Sequence, residues 1–168
     1  MKKTILAIVS VIASVGVMAQ GTINFSTTPS AIGSTERVTL QDGTALEGDA
    51  YQMQLMVGTD PASLAPVGDA IGFLSGGGAG FARAADTLVV DGIAGGVEVT
   101  VVAHAWDSQT PFIEGFSDPF TITLGGAGEP PSLPANLVGF TAFNLIPEPT
   151  TMVLSLLGAS VLALRRRR

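Results

Sequence analysis

The amino-acid sequence predicts an all-β domain built as an antiparallel β-sandwich. Along residues 20–146, apolar and polar side chains alternate with period two in several short segments, and no stretch keeps the 3.6-residue apolar period of an amphipathic helix. Joints rich in glycine and proline separate these segments, for example 58–61, 76–80 and 125–134. Short alternating strands joined by turns are typical of immunoglobulin-like and jelly-roll-like sandwiches, and a closed barrel is the alternative.

Two segments, residues 51–57 and 97–106, alternate most clearly and are predicted to be core strands. The side chains expected to share their apolar faces are Tyr51, Met53, Leu55, Val57, Val97, Val99, Val101, Ala103 and Ala105. Further strands are predicted at 21–25, 37–40, 71–74, 80–84, 87–90, 120–124 and 137–145. The pair Asp91-Gly92 predicts a tight turn after the strand at 87–90. We expect antiparallel pairing throughout, because no helical crossover is visible.

Residues 1–19 have the features of a secretory signal peptide. Lys2 and Lys3 form a basic start, residues 5–17 form an apolar run, and Val17-Met18-Ala19 places small or modest side chains at the cleavage site. We expect export through the Sec machinery and cleavage after Ala19, with cleavage at Gln20 or Gly21 as the alternative. An uncleaved N-terminal anchor is the alternative interpretation.

Residues 147–168 consist of a stiff polar tripeptide, an uncharged run and a basic end. The uncharged run at 150–164 would span roughly 22 Å as a helix, which is short for a bilayer core of about 30 Å. The arginines after it can extend towards the lipid headgroups and resist translocation, so we expect a short transmembrane helix with its C-terminus in the cytoplasm. The alternative is a short buried helix followed by a basic tail.

In this order and position, Pro147-Glu148-Pro149, the apolar run and Arg165, Arg166, Arg167 and Arg168 resemble the PEP-CTERM sorting signal of exported proteins of Gram-negative bacteria. The resemblance implies that Pro147, Glu148 and Pro149 are the sorting motif and that the four arginines are the membrane stop. It also implies cleavage by exosortase, a membrane-embedded transpeptidase-like protease. The protein would be held briefly at the inner membrane and then reach the outer surface or the extracellular matrix, in association with exopolysaccharide or biofilm.

Three further motifs resemble motifs of small proteins that carry this sorting signal. They are Gly-Thr-Ile-Asn-Phe at 21–25, Tyr-Gln-x-Gln-Leu at 51–55 and Ala-Trp-Asp at 105–107. The three domains predicted from the sequence are therefore a signal peptide at 1–19, an exported β-sandwich at 20–146 and the sorting signal at 147–168.

The predicted exported domain is strongly acidic. Of the 14 acidic residues only Glu148 lies outside 20–146, and of the eight basic residues only Arg37 and Arg83 lie inside it, which leaves a formal charge of −11. Such a surface argues against nucleic acid or anionic lipid as a partner. The chain has no cysteine, so neither a disulfide nor a thiolate metal site is expected.

The sequence predicts no catalytic residue, no metal ligand and no cofactor. His104 is the only histidine, no Gly-x-Ser-x-Gly motif accompanies it, and a nucleophilic triad with Ser108 is disfavoured. The glycine run at 76–80 lacks the Lys-Ser/Thr that a phosphate-binding loop needs. Two pairs of acids could donate oxygens to Ca²⁺, but solvated loop acids are the preferred interpretation. These pairs are Asp86 with Asp91 and Asp107 with Asp118.

Trp106 and Tyr51 are the candidate ligand contacts, because they are the chain's only tryptophan and tyrosine. An exposed tryptophan on a β-sandwich could stack on a sugar ring, whereas a tryptophan at the rim would only cover the core. We expect a structural or adhesive protein of the envelope or extracellular matrix rather than an enzyme. A carbohydrate-binding module is the alternative, and a β-sandwich enzyme that degrades polysaccharides is the third class.

Overall fold

The computed structural model describes residues 20–110 and 112–147, and its elements confirm the all-β class. Helical structure in this part is confined to a four-residue helix, α1 (Pro29–Ile32), and a 3-10 turn at Gly76–Gly78. The strands are β1 (Gln20–Asn24), β2 (Thr39–Leu40), β3 (Gly48–Gly58), β4 (Ala65–Phe73), β5 (Leu88–Ala94), β6 (Glu98–Asp107), β7 (Ile113–Phe116), β8 (Phe120–Thr123), β9 (Ala135–Asn136) and β10 (Asn144–Pro147).

The strands form two sheets. The smaller sheet has the order β5-β1-β9, and the larger has the order β2-β10-β7-β6-β3-β4. The long strand β6 pairs with β3 along one edge and with two short strands along the other. Its first half, 98–101, pairs with β8, and its second half, 104–106, pairs with β7.

Side chains from both sheets bury a single hydrophobic cluster. The smaller sheet contributes Ile23 from β1 and Val90 from β5. The larger sheet contributes the inward side chains of its long strands, which are Met53, Leu55, Val57, Val99, Val101, Ala103 and Ala105. The period-two alternation assigns these seven residues and two others to the core. Of the other two, Tyr51 packs at the edge of the cluster, and Val97 is exposed before β6 begins.

The predicted tight turn at Asp91-Gly92 is wrong. Strand β5 runs through both residues, and the chain turns at 95–96 instead. Gly92 has a φ of +76°, and β1 shifts its partners on β5 from Ala94 to Val90 between consecutive residues. The left-handed conformation that favours glycine therefore serves an irregularity within the β1–β5 pair rather than the end of a hairpin.

Two of the weaker predicted strands are also wrong. Residues 80–84 make only isolated bridges, which join Ala82 to Phe73 and Arg83 to Ser26. Residues 137–143 are irregular, and only the end of the predicted 137–145 strand belongs to β10. Strand β7 is not predicted from the sequence, because its four residues include Gly115 and are too few to show a clear period.

The expectation of antiparallel pairing fails at two places. β9 runs parallel to β1, and β2 runs parallel to β10. A parallel pair needs a long connection, and here most of the domain lies between the two partners of each pair. Sequence-local signals cannot show such a connection, because it contains many strands rather than one crossover helix.

Strand β10 ends at Pro147, one residue beyond the predicted end of the domain. Pro147 pairs with Ile113 of β7. A proline at the last position of a strand removes no hydrogen bond from the strand's interior. The folded domain therefore extends into the predicted sorting motif.

Neither predicted membrane-targeting segment falls within the described residues. The signal peptide at 1–19 and the transmembrane helix at 150–164 lie outside them and stay predictions. Within 20–110 and 112–147, no helix is long and apolar enough to cross a membrane.

Candidate functional site

The larger sheet carries aromatic and polar side chains on the face that points away from the core. Cross-strand pairing places Gln54 beside His104 and His104 beside Phe116. One step along the strands it places Gln52 beside Trp106 and Trp106 beside Glu114. We call this set the outer-face platform; its members are Gln52, Gln54, His104, Trp106, Glu114 and Phe116.

The alternation of β6 explains why the platform forms. Ala103 and Ala105 are fully buried on the inner face, so the intervening His104 and Trp106 must point outward. The bulky rings of this strand therefore lie on the outer face.

The imidazole of His104 is held by two neighbours on β7. Its Nε2 atom lies 2.6 Å from Oε2 of Glu114, and the two side chains are 24% and 26% exposed. The contact joins a ring nitrogen and a carboxyl oxygen at hydrogen-bond distance. The ring also stacks on Phe116, with centroids 4.2 Å apart and planes 4° from parallel. These contacts give the histidine a defined orientation.

Trp106 continues the row of rings. Its centroid lies 4.8 Å from that of His104, with the planes tilted by 34°. Trp106 is half-buried and Phe116 is 51% exposed. Gln54 donates a hydrogen bond of 2.6 Å from Nε2 to the carbonyl of Gly68, which orients its amide beside the rings. The result is a sheet surface with three adjacent rings flanked by amide and carboxylate groups.

The two predicted ligand contacts do not share a surface. Tyr51 is opposite Asp107, whereas the next residue, Gln52, is opposite Trp106. Consecutive residues of a strand point to opposite faces, and Tyr51 packs against the core cluster. Trp106 therefore belongs to the platform and Tyr51 does not.

His104 and Ser108 are not arranged as a nucleophilic pair. The histidine contacts Glu114, while the Ser108 hydroxyl donates to the carbonyl of Ala50 at 2.9 Å.

The carboxyl groups of Asp42 and Asp60 have lowered pKa values because of hydrogen bonds within turns. A hydrogen bond from the backbone N–H of Thr44 lowers the pKa of Asp42. Hydrogen bonds from the Ser63 hydroxyl and then from the Ala62 N–H lower the pKa of Asp60. A general acid needs a raised pKa. The lowered pKa values of Asp42 and Asp60 instead fit carboxylates that stabilise turns.

The acids considered for Ca²⁺ do not gather into a metal site among the residues described. No group of three or more histidine, aspartate or glutamate side chains that could hold a metal occurs in 20–110 and 112–147. Asp107 accepts hydrogen bonds from the N–H groups of Gln109 and Thr110, and Asp91 accepts one from Gln20. At least these two carboxylates have structural roles.

The glycine run at 76–80 serves as a turn that binds a side chain of the same chain. Arg37 donates to the carbonyls of Gly77 and Ala79, and its guanidinium lies 4.7 Å from the centre of the Phe81 ring. The run therefore presents carbonyl oxygens to a cation, the reverse of a phosphate-binding loop.

Sequence reasoning missed Glu114 and Phe116. Both lie on β7, whose four residues gave too short a pattern to be recognised. The available signal was the spacing of two residues between Glu114 and Phe116, which puts both on one face if the segment is extended. Their pairing with β6 is a long-range contact that this spacing cannot reveal.

Of the predicted processing residues, two lie within the described part of the chain. Gln20, the expected new N-terminus, is the first residue of β1, and Pro147 is the last residue of β10. Ala19, Glu148, Pro149 and the four terminal arginines lie outside it.

No family model matches the chain, and no curated protein or solved structure matches it.

Proposed function

We propose that this chain is an exported, non-enzymatic protein with a structural or adhesive role in the bacterial envelope or extracellular matrix. The observation that carries the proposal is the junction at Pro147, where an acidic all-β domain continues directly into the tripeptide, apolar run and arginine cluster. A signal peptide at the other end fits the same route. The domain would be the exported part, and the two terminal segments would direct its export and sorting.

The delivered domain is proposed to be a β-sandwich. Two sheets that contribute to one buried cluster support this arrangement. With no cysteine in the chain, this core has to stabilise the domain without a disulfide.

The proposed partners follow from the two ends and the acidic surface. Sec and exosortase would act on residues 1–19 and 147–168, and the inner membrane would hold the precursor only until cleavage. Exopolysaccharide is the proposed partner in the matrix. Nucleic acid is not, because the domain's charge of −11 would repel it.

Intact mass and location of the protein from its native host test this proposal. We expect a species that begins near Gln20 and ends near Pro147, outside the inner membrane. A species that retains residues 150–168 and stays in the inner membrane would contradict it.

Two sets of substitutions make the same test sharper. Replacing Pro147-Glu148-Pro149 by alanines should leave an unprocessed precursor in the membrane, and replacing Arg165–Arg168 by glutamines should impair retention and processing. The matched control is alanine at Glu129-Pro130-Pro131, an exposed tripeptide of the same composition. Normal processing of the tail variants would argue against the sorting role.

A second candidate function is carbohydrate binding by the outer-face platform. The row of Trp106, His104 and Phe116 favours it, because rings on the outer face of a sheet can stack on sugar rings while neighbouring amides bond the hydroxyl groups. Glu114 fixes the middle ring of the row, which limits the rotamer entropy lost on binding.

Trp106 is the only tryptophan of the chain. Its fluorescence can therefore report binding, and its substitution can test the site. Adding exopolysaccharide purified from the host should change the fluorescence of the full-length chain and reach saturation. The substitution Trp106→Ala should weaken binding by about tenfold or more in a pull-down, as loss of a central aromatic contact does. Tyr51→Phe on the opposite face is the control, and equal loss in both variants would exclude the platform.

A further inference from the structure

A small polar pocket lies at the end of the smaller sheet. It has a volume of about 160 Å³, below the roughly 300–1,000 Å³ of a drug-sized ligand site. Six of its seven lining residues have polar side chains. They are Asn24, Ser26, Thr28, Ser30, Arg83 and Asn136, and Ala31 is the seventh. We call this cleft the Arg83 pocket.

The parallel pairing of β1 and β9 builds one wall of the pocket. Asn24 lies opposite Asn136, and its Nδ2 atom donates to Oδ1 of Asn136 at 2.7 Å. An amide has one acceptor oxygen and an NH₂ with two donors. This bond leaves the oxygen of Asn24 and the NH₂ of Asn136 able to bond a ligand.

Three hydroxyl groups build the second wall. The Ser26 and Thr28 hydroxyl oxygens are 2.8 Å apart, and those of Thr28 and Ser30 are 3.3 Å apart. Two hydrogen bonds among three hydroxyls use two of their three protons. The wall therefore keeps both a donor and acceptor lone pairs for a ligand.

Arg83 supplies the charge. A backbone bridge joins it to Ser26, and Arg83 lines the pocket together with the three hydroxyl-bearing residues. Residues 20–147 contain two basic side chains, and the other one, Arg37, is bonded to backbone carbonyls. The Arg83 guanidinium makes no hydrogen bond or ion pair with the residues that the structure describes, although 13 acids lie in the same stretch of sequence.

We propose that the Arg83 pocket binds the carboxylate of an acidic sugar residue of the uronate type. The guanidinium fork matches a carboxylate and can bond both of its oxygens. The amide and hydroxyl groups around it both donate and accept, as sugar hydroxyls do. The small volume selects one sugar residue rather than a chain of several.

This site is independent of the platform and of the proposed function. It uses β1, β9 and the segments 26–30 and 83, whereas the platform uses β3, β6 and β7. Trp106→Ala should therefore leave it intact.

The test is a saturation-transfer NMR titration of the full-length chain in zwitterionic detergent with D-glucuronate, D-glucose and acetate, and sulfate, which has no proton to observe, is titrated as a competitor of bound glucuronate. Glucuronate should bind saturably, and the other three should bind at least about tenfold more weakly, because each lacks either the carboxylate or the sugar hydroxyls. Absence of saturable glucuronate binding overturns the proposal. Equal binding of acetate or sulfate does so too, since it would reveal a general anion site.

Substitutions in the Arg83 pocket test whether glucuronate binds there. Arg83→Gln should weaken glucuronate binding by at least about tenfold, since it removes a charged pair, and Asn136→Ala by about two- to tenfold. Thr121→Ala, an exposed position on β8 of the larger sheet, is the control and should change nothing. Each variant is checked for native folding by circular dichroism. Wild-type affinity in folded Arg83→Gln, or in folded Asn136→Ala, would place any binding elsewhere and refute the pocket.

Discussion

Single residues decide where this chain's backbone segments can touch. Gly125 exchanges two backbone hydrogen bonds with Thr22 of β1, at 3.0 and 3.1 Å. A side chain on Gly125 would overlap the carbonyl oxygen of Leu133 and come within 2.7 Å of the Pro134 Cα atom. The joint at 125–134 therefore closes against β1 only because this position has no Cβ atom.

Gly125→Ala should consequently destabilise the domain. We expect a loss of about 1–3 kcal/mol in the free energy of unfolding, as for other overpacked sites, measured by urea denaturation of residues 20–147. Gly77→Ala is the matched control, because a Cβ atom there meets nothing within 4 Å. It should be neutral or stabilise the domain by a few tenths of a kcal/mol up to about 1 kcal/mol. Equal effects of the two substitutions would show that the close contact at Gly125 is absent.

At the same scale, His104 shows how far a residue's role depends on its neighbours. Its position on the outward face of β6 followed from the alternation of residues 97–106. Its partners Glu114 and Phe116 did not, because they come from a four-residue strand ten or more positions away. The structure shows the histidine half-buried, with Nε2 at hydrogen-bond distance from Glu114.

Among the elements, β10 connects the folded domain to the predicted sorting signal. It lies between β2 and β7 in the larger sheet, and Leu145 is fully buried while the adjacent Ile146 is 53% exposed. Pro147, the first residue of the tripeptide, is thus also the last residue of the four-residue strand β10. Cleavage well inside this strand would remove a paired part of the sheet.

Leu145→Ala tests whether β10 is part of the stable domain. Removing a buried leucine side chain should cost about 2–5 kcal/mol in the free energy of unfolding. Ile146→Ala on the exposed face of the same strand should cost much less, because its side chain already contacts solvent. Thermal or urea melts of residues 20–147 measure both. Similar small losses in the two variants would mean that β10 does not pack on the core.

On the scale of the whole described domain, residues 20–110 and 112–147 share one core between two sheets of unequal size. Ile23 and Val90 of the smaller sheet pack in the same cluster as Met53 and Val101 of the larger one. Separating the sheets would expose this cluster to water, which costs on the order of 25 cal/mol per Å² of apolar surface. Neither sheet is therefore expected to unfold alone.

Residues 20–147 should unfold in a single cooperative transition. Trp106 fluorescence reports on the larger sheet and far-UV circular dichroism reports on all strands, so their urea midpoints should coincide. Amide hydrogen exchange in β1 and β3 should reach the same limiting free energy of opening. A smaller sheet that exchanges or melts at lower urea would show two separate folding units.

The sequence by itself determined the all-β class, the inward faces of β3 and β6, and the acidic charge of the domain. These follow from local chemistry, because the period of two along a strand assigns each side chain to a face without knowledge of its partner strand. Only the tertiary structure decided which strands pair. It joined β1 to β9 and β2 to β10 in parallel, kept β5 extended through Gly92, and put Glu114 beside His104 and Arg83 beside Ser26. Such contacts join residues that are far apart in the sequence. The residue pattern of one strand does not identify the strand that pairs with it.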